Sequence, residues 1–285
     1  MRGIVLAAAA VTLAVACGTA RVDPEVTGDP QRIVSMAPSL TEILFALGVG
    51  DRVVGVTTYC NYPPEARGRA KIGGFVNPSV EAIVALEPDL VLVSPAAGNR
   101  DSALAARAAG VRLEIVPAET LADTYDAIRS VAKLCGVPAR GEVLAGAIRE
   151  RIARVSARVA GAPRVSALFC LQIDPLIAAG RGTLPAELME LAGAINVVEA
   201  ERYPVVGIES ILARAPEVIL QSRMDTTDPD ADAVAVEYWN RWTSIPAVRD
   251  GRVFVFDGTT SLRAGPRVAD AVELLARSLH PESST

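Results

Sequence analysis

Histidine is almost missing from this 285-residue sequence: one occurs, at position 280. A single imidazole rules out His-rich metal sites, zincin motifs and any catalytic pair built from two imidazoles. No Cys-x-x-Cys pair occurs either, which removes the usual redox motif. Aromatic residues make up only 4% of the chain, so the places where they do occur carry information. Basic charge is not in surplus, with 28 Lys+Arg against 33 Asp+Glu and a formal net charge of −5. Without a Lys/Arg-rich stripe interleaved with aromatics, no nucleic-acid partner is expected. What is present is a 51% hydrophobic, 21% charged composition, which suits a soluble globular protein. At this length single cores stop growing, so two lobes are expected.

The chain opens with an address. Arg2 supplies a positive start, Ile4 to Ala16 is apolar and uncharged, and Ala14-Val15-Ala16 places small residues before Cys17. As a helix this run spans roughly 20 Å, short of the roughly 30 Å hydrocarbon core, so it reads as an export signal and not a permanent span. Residues 1–16 are the expected signal and 17–31 a mostly polar tether. Two processing routes stay open. The arrangement resembles a bacterial lipoprotein box, which implies lipidation of Cys17 as the mature N-terminus; plain secretion cleaved nearby is the other. Cys60, Cys135 and Cys170 then remain, an odd number in an exported chain. Cys170 lies within the apolar run Val165 to Leu171 and reads as a buried strand residue. Cys60, in a turn, and Cys135, near a helix end, are a candidate disulfide in an oxidising compartment.

Beyond the tether, short β-type runs alternate with helical patterns. Arg32 to Met36, Val53 to Thr57, Leu90 to Ser94 and Arg112 to Val116 read as strands. Between them, Ser39 and Glu42 have the spacing of a capping box for a helix that Gly48 closes, and Ser79 caps a helix that Pro88 ends. This alternation implies a mostly parallel sheet covered on both faces. From Thr120 the pattern turns purely helical, with one helix stopped by Gly136 and a second from Pro138 to about Ala160, long enough to cross between lobes. Strand and helix signals then resume to a closing amphipathic helix at Pro266 to Leu279. The expected organisation is an N-terminal lobe at 32–137, a connecting helix at 138–161 and a C-terminal lobe at 162–285. A gapless internal repeat supports it: VEAIVALEPDLVLVS from Val80 and IESILARAPEVILQS from Ile208.

Catalytic candidates are few. His280 sits before a polar tail, where a helix-end histidine facing the C-terminal dipole is the simpler reading. Gly180-Arg181-Gly182-Thr183 lacks the Lys-Ser/Thr of a phosphate loop and reads as a turn. Asp225, Asp228, Asp230 and Asp232 lack EF-hand spacing and read as a solvated loop. The aromatics say more. Tyr59, Tyr62, Phe75 and Tyr203 all fall in Pro/Gly-rich loops next to strands or helices, where α/β sheets bind ligands. An aromatic in such a loop covers either a ligand or the core beneath it.

The segments RIVSMAPSLTEILFALGVGDRVVGVTTYCNYPPEA, GGFVNPSVEAIVALEPDLVLVS and RAGPRVADAVELLARSLHPE, with the Ile208 repeat, resemble the periplasmic substrate-binding proteins of ABC importers for cobalamin and ferric siderophores. VVGVTTYCNYPPEA is most similar to the cobalamin-binding branch. The resemblance implies an α/β fold of two lobes, each with a mostly parallel central sheet flanked by helices, joined by one long rigid helix. It implies a small-molecule ligand in the cleft, a cobalamin or related corrinoid, against Pro38, Tyr59, Phe75 (often tryptophan in the branch), Tyr203 and Arg263. It also implies an ABC permease as partner, docked through Glu81 and Glu209, one in each repeat copy. Three positions depart from the branch: Ser94 stands in place of tryptophan, Ile177 of phenylalanine and Thr259 of aspartate. The resulting expectation is a monomeric, extracytoplasmic binding protein without cofactor, metal or catalytic role, touching the membrane only through a lipid anchor. Two alternatives stand beside it: a ferric-siderophore binder, with Arg263, Arg267 and Arg181 facing an anionic chelate, and an extracytoplasmic enzyme on the same scaffold. Tyr59 is the candidate axial ligand should the cargo be haem.

Overall fold

A computed structural model describes residues 28–95, 98–223 and 230–284. The signal, most of the tether with Cys17, and Asp225 and Asp228 lie outside these residues. In chain order the first half holds β1 (Ile33–Ser35), α1 (Pro38–Ala46), β2 (Val53–Val56), β3 (Ala70–Lys71), α2 (Val80–Ala85), β4 (Leu90–Val93), α3 (Arg100–Ala108), β5 (Leu113–Ile115) and α4 (Leu121–Leu134). Its strands form one parallel sheet in the order β3-β2-β1-β4-β5. α5 (Pro138–Val159) follows, and then β6 (Val165–Ile173), β7 (Leu176–Ala178), α6 (Leu184–Leu191), β8 (Ala194–Asn196), α7 (Ile208–Arg214), β9 (Val218–Arg223), α8 (Ala231–Asn240), α9 (Pro246–Arg249), β10 (Val253–Asp257), α10 (Gly258–Ser261) and α11 (Val268–Leu279). The second sheet runs β10-β9-β6-β7, with β8 also paired to β6; all pairs are parallel except β6 with β7.

Strands buried on both faces explain the continuous apolar runs: β4 reads LVLV and is buried throughout. The long α5 is not a bare strut. Its apolar stripe (Ile148, Ile152, Val155 and Val159) joins a core that includes Ile128 and Val131 of α4, Leu188 of α6 and Val272 and Leu275 of α11. Outside that stripe, Arg151 bonds Asp270 of α11 at 2.7 Å and Glu273 at 3.1 Å. One core thus runs from the first sheet through the helical layer to the second.

The repeat is structural. Copy one is α2 with β4, and copy two is α7 with β9; each strand lies beside the opening strand of its lobe, β4 on β1 and β9 on β6. Ile83 and Ile211, equivalent in the repeat, are both fully buried. Glu87 and Ala215, also equivalent, both take left-handed φ of 45° just before a proline. A residue preceding proline is barred from the right-handed helical region, so each helix stops there by the same device. Two positions on, Asp89 carboxylate oxygens accept from Gln31 N and Arg32 N, and Glu217 accepts from Ser166 N. Both acids therefore satisfy the amides at the start of the neighbouring strand.

Two expectations need correction. The Ser39–Glu42 spacing is no capping box: α1 starts at Pro38, its N-cap is Ala37, no side chain caps it, and Glu42 is buried one turn in. The Cys60–Cys135 disulfide is absent, and both are buried free thiols, as is Cys170. α4 leaves the carboxyl end of β5 and its 14 residues run about 21 Å back along the sheet. Cys135 therefore ends at the amino edge, where Arg52 Nη1 bonds its carbonyl at 2.9 Å, while Cys60 follows β2 at the carboxyl edge. A disulfide needs Cα atoms within about 7 Å. The Cys60 sulfur instead sits 3.1 Å from the hydroxyls of Thr41 and Thr57. Burial pushes the Cys135 thiol up to about 11 and Cys170 up to about 12, so neither is a ready thiolate. β3, β7, β8 and α8 are further elements that no sequence pattern indicated.

Candidate ligand-binding cleft

In parallel sheets the loops at the carboxyl ends of strands are free to carry ligand contacts. Pro38 follows β1 as the first residue of α1, Tyr59 follows β2, Phe75 follows β3 and Arg263 lies beyond β10. Tyr203 lies in the segment between β8 and α7, which runs along the edge strand β7 through Ala178 N to Pro204 O at 3.1 Å and Val206 N to Leu176 O at 2.9 Å. The two carboxyl edges meet. Arg263 reaches from the second lobe to Glu42 Oε1 (3.2 Å), Asn61 Oδ1 (2.9 Å) and the Tyr59 carbonyl (2.9 Å) of the first. Arg202 bonds Glu119 across the same boundary at 3.1 Å, and Leu121 N donates to Glu187 Oε2 at 2.8 Å. The expected wall residues are thus brought to one interlobe edge, and Arg263 belongs to its framework.

On the first-lobe wall, Thr58 N donates to Gly73 O at 2.9 Å and ties the Tyr59 loop to the Phe75 loop. The Tyr59 ring passes within 3.8 Å of where a Gly74 Cβ would stand, so it lies beside the residue that precedes Phe75. Tyr59 is 61% exposed, whereas Phe75 is half-buried with one face on the core. Tyr62 carries the Arg267 guanidinium over its ring at 4.3 Å. On the opposite wall Tyr203 is 42% exposed, and its phenol titrates above the ordinary tyrosine value because of desolvation, with Arg202 opposing and Glu119 and Glu187 adding to the shift. Its hydroxyl therefore stays protonated and able to donate. Counting back from the repeat helices, Phe75 stands five residues before Val80 and Tyr203 five before Ile208. Each lobe thus sets an aromatic at the same place relative to its repeat helix.

The arginines at this edge are bonded to protein acceptors. Glu42 is buried to 1% of its side-chain surface between Arg263 and Arg267. Arg267 grips it with Nη2 to Oε1 at 2.7 Å and Nε to Oε2 at 2.9 Å, and also bonds Thr260 Oγ1 and the Thr259 carbonyl. Arg181 gives its Nε to Glu199 O at 2.6 Å and lies 3.8 Å from Glu201. The three arginines expected to face an anionic chelate are committed to protein acceptors. Glu42 was missed as a part of this edge, because its pairing with Arg267 across 225 residues leaves no local pattern.

Glu81 and Glu209 are exposed in the first turns of α2 and α7. Both helices begin at the carboxyl edges of their sheets, because α2 leads from β3 to β4 and α7 from β8 to β9. Ser79 caps α2 and donates to Glu81 Oε2 at 3.0 Å, and backbone and serine hydrogen bonds hold the Glu81 carboxyl below its usual range. Elsewhere, His280 is a buried C-cap of α11, Thr183 caps α6 from the Gly180 turn, and Asp232 pairs with Arg223 at 2.9 Å. Among the described residues, no helix is long and apolar enough to cross a membrane.

A family model described as periplasmic binding protein matches residues 33–260. A vitamin B12-binding protein of Vibrio cholerae is 30% identical over 267 residues, covering 91% of this chain and 94% of that one. The crystal structure of the periplasmic vitamin B12 binding protein of that organism aligns with TM-score 0.76 and 30% identity over 88% of this chain and 97% of the other. An uncharacterized ABC transporter substrate-binding lipoprotein of Bacillus subtilis is 30% identical over 270 residues, 92% of this chain and 83% of its own length. The apo periplasmic haem-binding protein of a Roseiflexus species aligns with TM-score 0.80 and 31% identity, covering 90% of this chain and all of the other. Sheet order, interlobe edge and these similarities agree: the chain belongs to the periplasmic binding protein family.

Proposed function

We propose that this protein is the extracytoplasmic solute-binding component of an ABC importer, which captures cobalamin or a related corrinoid between its lobes and delivers it to the permease. The carrying observation is the combination of aromatics in the carboxyl-edge loops of both lobes, Tyr59 and Phe75 in the first and Tyr203 in the second, with arginines that are already bonded to Glu42 and to backbone oxygens. Such an edge suits a large flat ligand of little net charge, rimmed by amides that can accept from the remaining donors. A ferric siderophore would need the arginines that the protein uses itself. Binding rests on ring burial and shape, with no covalent step and no resident cofactor, and the corrinoid is cargo. Desalting after mixing with cyanocobalamin tests the reading. A corrin absorption spectrum that co-elutes at one equivalent per chain is expected; co-elution of haem or a ferric chelate in its place overturns it.

The docking and anchoring parts have separate tests. Exposed carboxylates at the same place on both repeat copies suit an acidic two-point contact to permease arginines, which sets orientation and encounter rate. Changing both Glu81 and Glu209 to Lys is expected to abolish transport in reconstituted vesicles at unchanged corrinoid affinity, and either alone to do less. For the anchor, Cys17→Ser is expected to release the protein from the membrane fraction with ligand binding intact.

A further inference from the structure

Glu42 stands out as a buried carboxylate that no helix cap or catalytic role explains. Its oxygens receive Arg267 twice and Arg263 once. Burying one carboxylate against two guanidiniums leaves the cluster at a formal +1 where the arginines alone would give +2. The guanidiniums are not sealed in, since 15% of the Arg263 side chain and 14% of Arg267 stay accessible. Their other bonding partners, Asn61, Thr260 and the carbonyls of Tyr59 and Thr259, are uncharged, as is the Tyr62 ring under Arg267, while Asp257 attracts Arg267 from further off without bonding it. Glu42 is therefore the acid in direct contact with both arginines. A partly buried charge cluster rejects or accepts an anion by the charge it presents, because partly desolvated charges interact several times more strongly than charges in water.

We infer that Glu42 sets the charge preference of the cleft: by neutralising one of the two interlobe arginines it lets the site take a corrinoid of little net charge and disfavours an anionic tetrapyrrole or ferric chelate. This rests on the ligand reading above. Glu42 acts through Arg263 and Arg267 and need not touch the ligand. Its replacement is expected to change which ligand binds, more than how well the protein folds, provided the substitute keeps the shape and one acceptor.

Glu42→Gln meets that condition. The experiment measures dissociation constants for cyanocobalamin and for iron protoporphyrin IX, which carries two carboxylates, on the wild type and on Glu42→Gln. The ratio of the two affinities is expected to swing toward the porphyrin by about tenfold in the variant, and the gain to shrink as salt rises. The double variant Glu42→Gln/Arg267→Gln, which returns the cluster to +1, is expected to restore the wild-type ratio. A purely structural role would weaken both ligands together and would not be rescued by the second change, so parallel losses or no rescue overturn the inference. Should Glu42→Gln fail to fold by circular dichroism, Arg267→Gln alone takes the cluster to zero and must move the ratio the opposite way; an unchanged ratio again overturns it. A wild type that binds no cyanocobalamin overturns the corrinoid reading and leaves the porphyrin comparison between wild type and variant to judge Glu42.

Discussion

The two repeat copies, α2–β4 and α7–β9, agree where a helix–strand unit must satisfy its own backbone and differ where it faces the cleft. Ile83 and Ile211, the left-handed Glu87 and Ala215, and the amide-accepting Asp89 and Glu217 are matched in place and in physical task. The loops just upstream diverge. Ser79 caps α2 with its side chain, whereas Gly207 leaves α7 without a side-chain cap; phenylalanine at 75 answers to tyrosine at 203. The fold's demands hold the helix and strand constant and leave the carboxyl-edge loop free to vary. The aromatics lie in this loop and the exposed acids in the first helical turn that follows it, so the residues proposed for recognition and for docking lie side by side in each lobe.

If the copies are equivalent units, damage to one should equal damage to the other. The largest expected effect is from Ile83→Ala and Ile211→Ala, each leaving a fully buried cavity and costing about 2–5 kcal/mol by denaturant unfolding. A loss in only one lobe would break the comparison. Asp89→Ala and Glu217→Ala come next, at about 1–2 kcal/mol each, because strand-opening amides lose their acceptors. Glu217 adds a pH signature. Hydrogen bonds from the Ser166 amide and hydroxyl hold its carboxyl below the usual value, so its contribution is present at neutral pH and is lost as pH falls through the lowered value. The stability gap between wild type and Glu217→Gln should therefore close in acid and stay open at neutral pH. The smallest effect sharpens the comparison: Glu87→Gly and Ala215→Gly relieve left-handed backbone and should each stabilise by about 0.5–1 kcal/mol.

Much of this was legible in the sequence, for reasons that particular residues show. The Glu-Pro and Ala-Pro stops, the Ser79 cap and the charge-free runs of β4 and β6 are local signals, and local signals fixed most elements to within a residue or two. β3, β7 and β8 escaped because two or three residues cannot display a period. Ser39 and Glu42 misled because the spacing of a capping box also arises inside a first turn that begins with proline. The aromatics of the proposed walls stood out as rare residues in loops beside strands and helices. The pairing of Glu42 with Arg267 did not, since it depends on two lobes meeting, and the Cys60–Cys135 expectation failed because only the run of α4 shows that the thiols lie at opposite edges of one sheet.

The most direct test of the central claim is calorimetric titration of cyanocobalamin into the wild type, Phe75→Ala, Tyr203→Ala and the double variant. One site per chain is predicted, with each single substitution weakening binding by about 1–3 kcal/mol through lost ring burial, and the double variant weaker than either. Unchanged affinity in either single variant would contradict the claim that one ligand is held between equivalent walls of the two lobes.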